Sequence, residues 1–326
     1  MKLRVLQLLV FLPSSLLLGF DVRMRVVDED GIPVAHAKAT IAFIGIVQGS
    51  GRTHDGITGV DGQFSATGRA QHSVFLVAKK AGYYEARVDG LSSASDLDQI
   101  VVLPRILNPT PLCVWDSRIG KGILGLRFPA QSEWLGFDFE VCDWVEPHGT
   151  GRVPDLRMKF TNEFLDWKHS ETDMANNRRI NPDVSETEMK RIYGKWDAEL
   201  EISFPDEGGG IVEATRFLAY SRLKLPHQAP ASGYGPARRY TANSYSPRRA
   251  GDDVGFFLRT RVKRDAGGRI TSANYAKIMG DFQVDPRGGV RFAYYFNPIP
   301  NNRNLEFDPE RNLLPSDLPG TRVFDP

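Results

Sequence analysis

The chain has 326 residues, enough for two domains, and its 41 Lys and Arg against 40 Asp and Glu leave a formal charge of +1 at pH 7. That near balance excludes the strongly basic character of a dedicated nucleic-acid binder. Charge is uneven along the chain: residues 133–213 hold 19 acids and 9 bases, and residues 214–300 hold 5 acids and 15 bases, so the two stretches either neutralise each other or leave a basic face for a partner.

The first residues, MKLRVLQLLVFLPSSLLLGF, place Lys2 and Arg4 ahead of an apolar run from Val5 to Phe20 that Pro13, Ser14 and Ser15 interrupt. This is the grammar of a signal peptide over residues 1–20. Sixteen helical residues reach only about 24 Å, short of a hydrocarbon core of about 30 Å, so export is expected rather than a spanning anchor. No later run is long and apolar enough to span a membrane.

Residues 21–107 alternate strand-like runs with turn residues: DVRMRVV, KATIAFIGIV, GQFSAT, SVFLVAK, YYEARVDG and DQIVVLP. Such spacing indicates a small β-sandwich. Between the first two runs, Asp28 and Asp30 precede Gly31 and Pro33. A calcium loop of the EF-hand kind would need a ligand at its fifth position and a glutamate at its twelfth, but these positions hold Ile32 and Ala39, so a turn is expected. The glycine-rich GSGRTHDG lacks the lysine of a phosphate-binding loop and reads as a plain loop.

Asp28, Gly31, Pro33, Val34 and Ala37, then Thr58, Asp61, Gly62 and Phe64 of TGVDGQF, then Ala81, Gly82 and Tyr83 resemble the carboxypeptidase regulatory-like domain. The resemblance covers about a quarter of the chain and implies a transthyretin-like β-sandwich with no catalytic residues of its own.

At Asn108 to Leu112, Pro109 and Pro111 mark a break, and residues 108–326 read as a second antiparallel β-rich domain. Its runs are GFDFEVCDWVEP, DLRMKFTNEFLDW, WDAELEISF, IVEATRFLAY, GFFLRTRVKR, ITSANYAKIMGDFQV and GVRFAYYFNP, with PDEGGGI, RDAGGRI and DPRGGV as hairpin signals. One short helix is expected at DVSETEMKRIYG, with Ser185 and Glu188 as a capping box, Gly194 as the stop, and Met189, Ile192 and Tyr193 as its apolar stripe. From Asn297 onward an extended strap would dock Leu305, Phe307 and Leu313. The phrases SANYAKIMGDF and NPIPNNRNLEFDPERNL resemble an uncharacterised extension of exported bacterial proteins, which implies no activity.

The spacings of zinc hydrolases, serine nucleophiles, phosphate cradles and thiol redox centres are missing, and the six histidines form no chelating cluster. No catalytic residue, cofactor or metal is therefore assigned. Asp138 and Glu140 share a strand face, an arrangement that suits glycoside chemistry in a cleft and otherwise is solvated charge. Cys113 and Cys142 are expected to pair in an exported chain, Cys142 lying on the polar face of its strand opposite Phe137, Phe139 and Val141. Two binding candidates stand out. Alternation puts Arg259, Arg261 and Lys263 in one basic row opposite Leu258, Thr260 and Val262. An irregular loop mixes Tyr234, Tyr240 and Tyr245 with Arg238, Arg239, Arg248 and Arg249, in which tyrosine can stack on sugars and arginine can pair with carboxylate or phosphate.

The sequence thus supports an all-β, non-catalytic exported protein with a structural or binding role in the bacterial periplasm or at the cell surface, its partner an envelope polysaccharide or another envelope protein and not nucleic acid. A hydrolase of envelope glycan or peptide, with its site in the second domain, is one alternative. A carbohydrate- or polyanion-binding module is another, favoured if the Tyr/Arg loop lies beside the basic row.

Overall fold

The computed structural model describes residues 19–45, 51–70, 72–91, 95–119, 126–180, 182–243 and 253–326; almost all of the expected signal peptide, and Tyr245, lie outside them. The chain divides into two compact units, Met1–Arg105 and Ile106–Pro326.

The first unit is built from β1 (Phe20–Val27), β2 (Lys38–Ile44), β3 (Arg52–Ile57), β4 (Gln63–Gly68), β5 (Ser73–Lys79), β6 (Ala86–Leu91) and β7 (Leu97–Val102). They form a three-stranded sheet in the order β4-β1-β7 and a four-stranded sheet in the order β3-β2-β5-β6. Alternate residues of both sheets, among them Val22, Met24, Ile41, Phe43, Leu76, Val88 and Val101, meet in one core, which makes the unit a sandwich. Strand β3 falls on the glycine-rich stretch read as a loop. It pairs along β2 from Lys38↔Ile57 to Phe43↔Arg52, so tertiary pairing overrides its weak strand propensity.

Turn chemistry accounts for the motif residues. Asp28 Oδ1 accepts the amides of Asp30 and Ile32, Gly31 adopts φ 82°, and the Arg105 guanidinium pairs with Asp28, Glu29 and Asp30. Arg105 thus offsets part of the charge of this acidic turn. Gly62, at φ 75°, lies so close to Val26 that a Cβ would stand 2.3 Å from its carbonyl oxygen.

The second unit comprises β8 (Thr110–Asp116), β9 (Leu126–Arg127), β10 (Trp134–Asp138), β11 (Asp143–Trp144), β12 (Leu156–Trp167), α1 (Glu171–Ile180), α2 (Glu186–Tyr193), β13 (Gly194–Ser203), β14 (Gly210–Glu213), β15 (Ala237–Asn243), β16 (Gly255–Arg264), β17 (Ile270–Asp285), β18 (Gly289–Asn297) and β19 (Phe307–Asn312). A five-stranded sheet runs β11-β10-β12-β13-β15, and a larger one runs β14-β16-β17-β18-β8-β19 with β9 also on β18. The sheets face each other across an aromatic core that includes Phe137, Phe139, Phe160, Leu200, Tyr240, Phe282 and Tyr294. A second core covers the opposite face of the larger sheet, where Leu225, Ala229, Leu305 and Phe307 pack on Leu112, Val114, Tyr275 and Tyr295. Covered on both faces, β17 and β18 are buried almost continuously instead of alternately.

Several sequence expectations need correction here. Among the described residues there are two short helices, since ETDMANNRRI also forms a helix, α1. In α2 the cap forms as expected, Ser185 accepting the Glu188 amide, and Met189 is buried, but Ile192 is exposed. RDAGGRI and DPRGGV close the β16–β17 and β17–β18 hairpins, whereas PDEGGGI carries the chain from one sheet to the other. Leu305 and Phe307 dock fully, but Leu314 is buried in place of Leu313. The loop after Tyr234 contains β15, which pairs along β13 from Asp197↔Asn243 to Ser203↔Ala237. The strand expected through Val141 and Cys142 stops at Asp138, whose carboxylate accepts the amides of Glu140, Arg152 and Val153. Beyond it the chain turns, Cys142 adopting φ 59°, so Val141 is exposed and Cys142 packs on the aromatic core. Both Cys113 and Cys142 are free thiols, and burial pushes each thiol up to about 12.

Candidate functional site

The basic row does not form, and a β-bulge is the reason. Pairing passes from Thr260↔Asn274 to Lys263↔Ser272, so β16 spends three residues where β17 spends two, and Arg261 sits at φ 51°. An extra residue shifts the phase of alternation. Arg259 keeps to the side of Phe257 and Val262, which belong to the outer core. Arg261 instead swings with Thr260 toward the inner sheet, where both side chains reach Asp155. Lys263 is exposed.

Arg261 is the centre of an ion cluster between the sheets. Its guanidinium holds Asp155 at 2.8 Å, Glu140 at 2.6 Å and Asp138 at 3.0 Å, and lies over the Phe296 ring at 4.9 Å. Burial holds the Asp155 carboxyl above its ordinary value, with Arg261 offsetting part of the effect. The strand-face pair Asp138 and Glu140 is thus committed to an arginine. This cluster, with the pairing of Arg239 to Glu199 and Arg264 to Glu207, sets part of the acidic 133–213 stretch against the basic stretch that follows it.

Of the Tyr/Arg residues, Arg248 and Arg249 like Tyr245 lie outside the described residues, and the others are dispersed. Tyr240 is a core residue that donates its hydroxyl to Asp281 at 2.6 Å. Arg238 shares the inward face of β15, its guanidinium 4.2 Å from the centre of the Phe256 ring. Arg239 points outward to Glu199. Tyr234 meets the basic strand at Arg259, whose guanidinium stacks on its ring at 4.6 Å, and Tyr275 lies behind it at 6.4 Å.

This half-buried Tyr234–Arg259 platform is the strongest candidate for an anion site. The Tyr234 hydroxyl donates to the Pro230 oxygen, and burial together with neighbouring Tyr275 pushes its pKa up. Arg259 donates to the carbonyls of Gly208 at 2.7 Å and Ala231 at 3.3 Å. Arg303, whose charge also acts on Tyr234, donates to the Ala229 carbonyl at 3.1 Å. Among the described residues neither arginine has a carboxylate partner, in contrast to Arg105, Arg118, Arg261 and Arg287. Sequence reasoning missed Arg303, which the fold brings from the C-terminal segment.

Lys277 is a different kind of charge. It lies fully buried in β17, its ammonium 3.1 Å from the Pro326 backbone oxygen and 4.4 Å above the Tyr295 ring. Burial pulls its pKa from 10.5 to about 7 despite nearby Glu306 and Asp325. Among the described residues no group of three His, Cys, Asp or Glu is arranged to hold a metal, and no helix is long and apolar enough to cross a membrane.

No family model matches the chain, and no curated protein does. Solved structures found similar to the chain include a Streptococcal ancillary pilin (15% identity, 42% of this chain and 44% of that one, TM-score 0.20). Others are a candidate carbohydrate-binding protein from Bacteroides uniformis (8% identity, 84% and 94%, TM-score 0.20) and a DUF3823 family protein from Parabacteroides merdae (7% identity, 84% and 95%, TM-score 0.19). The chain spans under half the length of the ancillary pilin.

Proposed function

We propose that this is a non-catalytic exported protein that binds an anionic polysaccharide of the cell envelope through the Tyr234–Arg259–Arg303 platform. The observation that carries this reading is the stacking of Arg259 on Tyr234, with Arg303 alongside and, among the described residues, no carboxylate on either arginine. Guanidinium groups bonded only to neutral carbonyls keep their charge available to a carboxylate or phosphate. The tyrosine ring adds an apolar surface for a sugar face.

The test uses polygalacturonate as probe, with the chain lacking residues 1–20. Changing Arg259 and Arg303 together to Ser is expected to weaken binding about tenfold or more, and wild-type affinity is expected to fall as salt rises. Lys263→Ser, on an exposed side chain outside the platform, serves as the control. Undiminished binding by the double variant would discard the reading. Export is checked separately by fractionating cells that express the chain with and without residues 1–20; equal cytoplasmic recovery of both forms counts against it.

A further inference from the structure

The open face of the five-stranded sheet is built differently from the arginine platform. Inward residues of β12, β13 and β15, such as Phe160, Leu200 and Tyr240, belong to the core, so their neighbours along each strand point out. Register aligns the outward residues in rows across the sheet: Thr161, Glu199 and Thr241 in one, Glu163, Asp197 and Asn243 in the next. A trough of about 600 Å³ lies over these two rows. It falls within the ordinary size of small-ligand sites.

Two features set this trough apart from an ordinary solvated face. Glu199 is paired with Arg239 and the next row's Glu201 with Lys159, but Glu163 and Asp197 stand directly opposite one another with no cation on either among the described residues. Like charges directly opposed across a ladder destabilise it. The row that begins with Lys159 and Glu201 also carries Trp134, a ring 46% exposed. By strand geometry it is roughly 8 Å from Thr161 on the adjoining strand.

We propose that this trough is a second binding site, one for an uncharged glycan chain. Vicinal sugar hydroxyls donate well to paired carboxylate oxygens, and charge-assisted bonds of this type are the stronger ones. Thr161 and Thr241 supply hydroxyl partners beside them. The indole, with the Lys159 ammonium 6.0 Å from its ring centre, offers its remaining exposed surface to a further pyranose ring. An anionic chain is repelled here by Glu163 and Asp197, which separates this site from the arginine platform in ligand as well as in place.

The experiment titrates cellohexaose and maltohexaose into isotopically labelled protein and follows the amides of Thr161, Ala198 and Thr241 and the Trp134 indole. At least one hexaose is expected to shift these resonances saturably at about 10 mM or below, with no loss at roughly 0.5 M salt and none in the Arg259→Ser variant. Trp134→Ala, and Glu163→Gln combined with Asp197→Asn, should each weaken binding about tenfold. The double amide variant should melt no lower than wild type, because it relieves the opposed charges. No saturable shift with either hexaose, or undiminished binding in both variants, overturns the site. Its failure leaves the polygalacturonate result untouched, so the two readings stand or fall separately.

Discussion

Replacing Lys277 with Met should stabilise the second unit at neutral pH, and by an amount that shrinks as pH rises. In the folded state this ammonium titrates at about 7 instead of 10.5, a depression of about 3.5 units. At about 1.4 kcal/mol per unit this is close to 5 kcal/mol. Above pH 10.5 the amine is neutral folded and unfolded, so nothing is lost. As pH falls toward 7 the unfolded chain takes up a proton that the folded chain does not, and stability declines. Methionine has a similar flexible length and carries no such penalty. Losing the bond to the Pro326 oxygen returns about 1 kcal/mol, which leaves a net gain of about 4 kcal/mol at pH 7 and a slight loss near pH 10.5. All five tryptophans lie beyond residue 106, so urea unfolding followed by indole fluorescence reports this unit alone. Measured at three pH values between 7 and 10, the advantage of Lys277→Met should fall by about 1.4 kcal/mol per unit. A pH-independent difference, or a variant less stable than wild type at pH 7, would refute the reasoning.

Removing Arg261 should be the most damaging single change on β16: Arg261→Met leaves Asp155 and Asp138 buried without their cation at a cost of about 3–5 kcal/mol, whereas Lys263→Ser should cost within about 0.5 kcal/mol, both read from denaturant midpoints. Native protein should resist iodoacetamide at pH 8, because both thiols are shielded and held near 12, yet both should label after denaturation without reductant. Failure of either to label would show a disulfide instead. In the first unit, Arg105 hydrogen bonds and charge, with backbone amides, outweigh burial and hold the Glu29 carboxyl below its ordinary value. The stability this contributes is present above pH 4.5 and is lost as acid titrates the folded carboxyl; an Arg105→Met variant should lose that part of the acid dependence in a melting series from pH 6 to pH 3.

Strand alternation made most of the fold legible. Runs such as SVFLVAK and ITSANYAKIMGDFQV state their period or their full burial directly, and the Ser185 cap is a local signal with a local outcome. What sequence could not show is where alternation breaks. The bulge at Arg261 depends on Asp155, 106 positions away, and nothing in FFLRTRVKR announces it. Strands β3 and β15 have unpromising compositions, and each exists because a neighbour offers a full ladder. The platform was half visible: Tyr234 and Arg259 each stood out, but their contact, and the arrival of Arg303, are products of long-range topology. The trough was invisible, since its opposed carboxylates meet through the pairing of β12 with β13 across a long connection.

The larger sheet of the second unit is laced shut from both ends of that unit. Strand β19 joins β8 in parallel, Phe307 beside Thr110, and the Asn312 side chain accepts the Val114 amide, 198 positions earlier. Loop-closure entropy must be met before such contacts return anything. A chain emerging from its N-terminal end therefore cannot seal the outer core until Leu305 and Phe307 have been made, and until then Leu112, Val114 and Tyr295 lack their cover. The second unit can therefore close only after its last strand exists, so its final packing step waits on residues about 200 positions beyond the strand they cover.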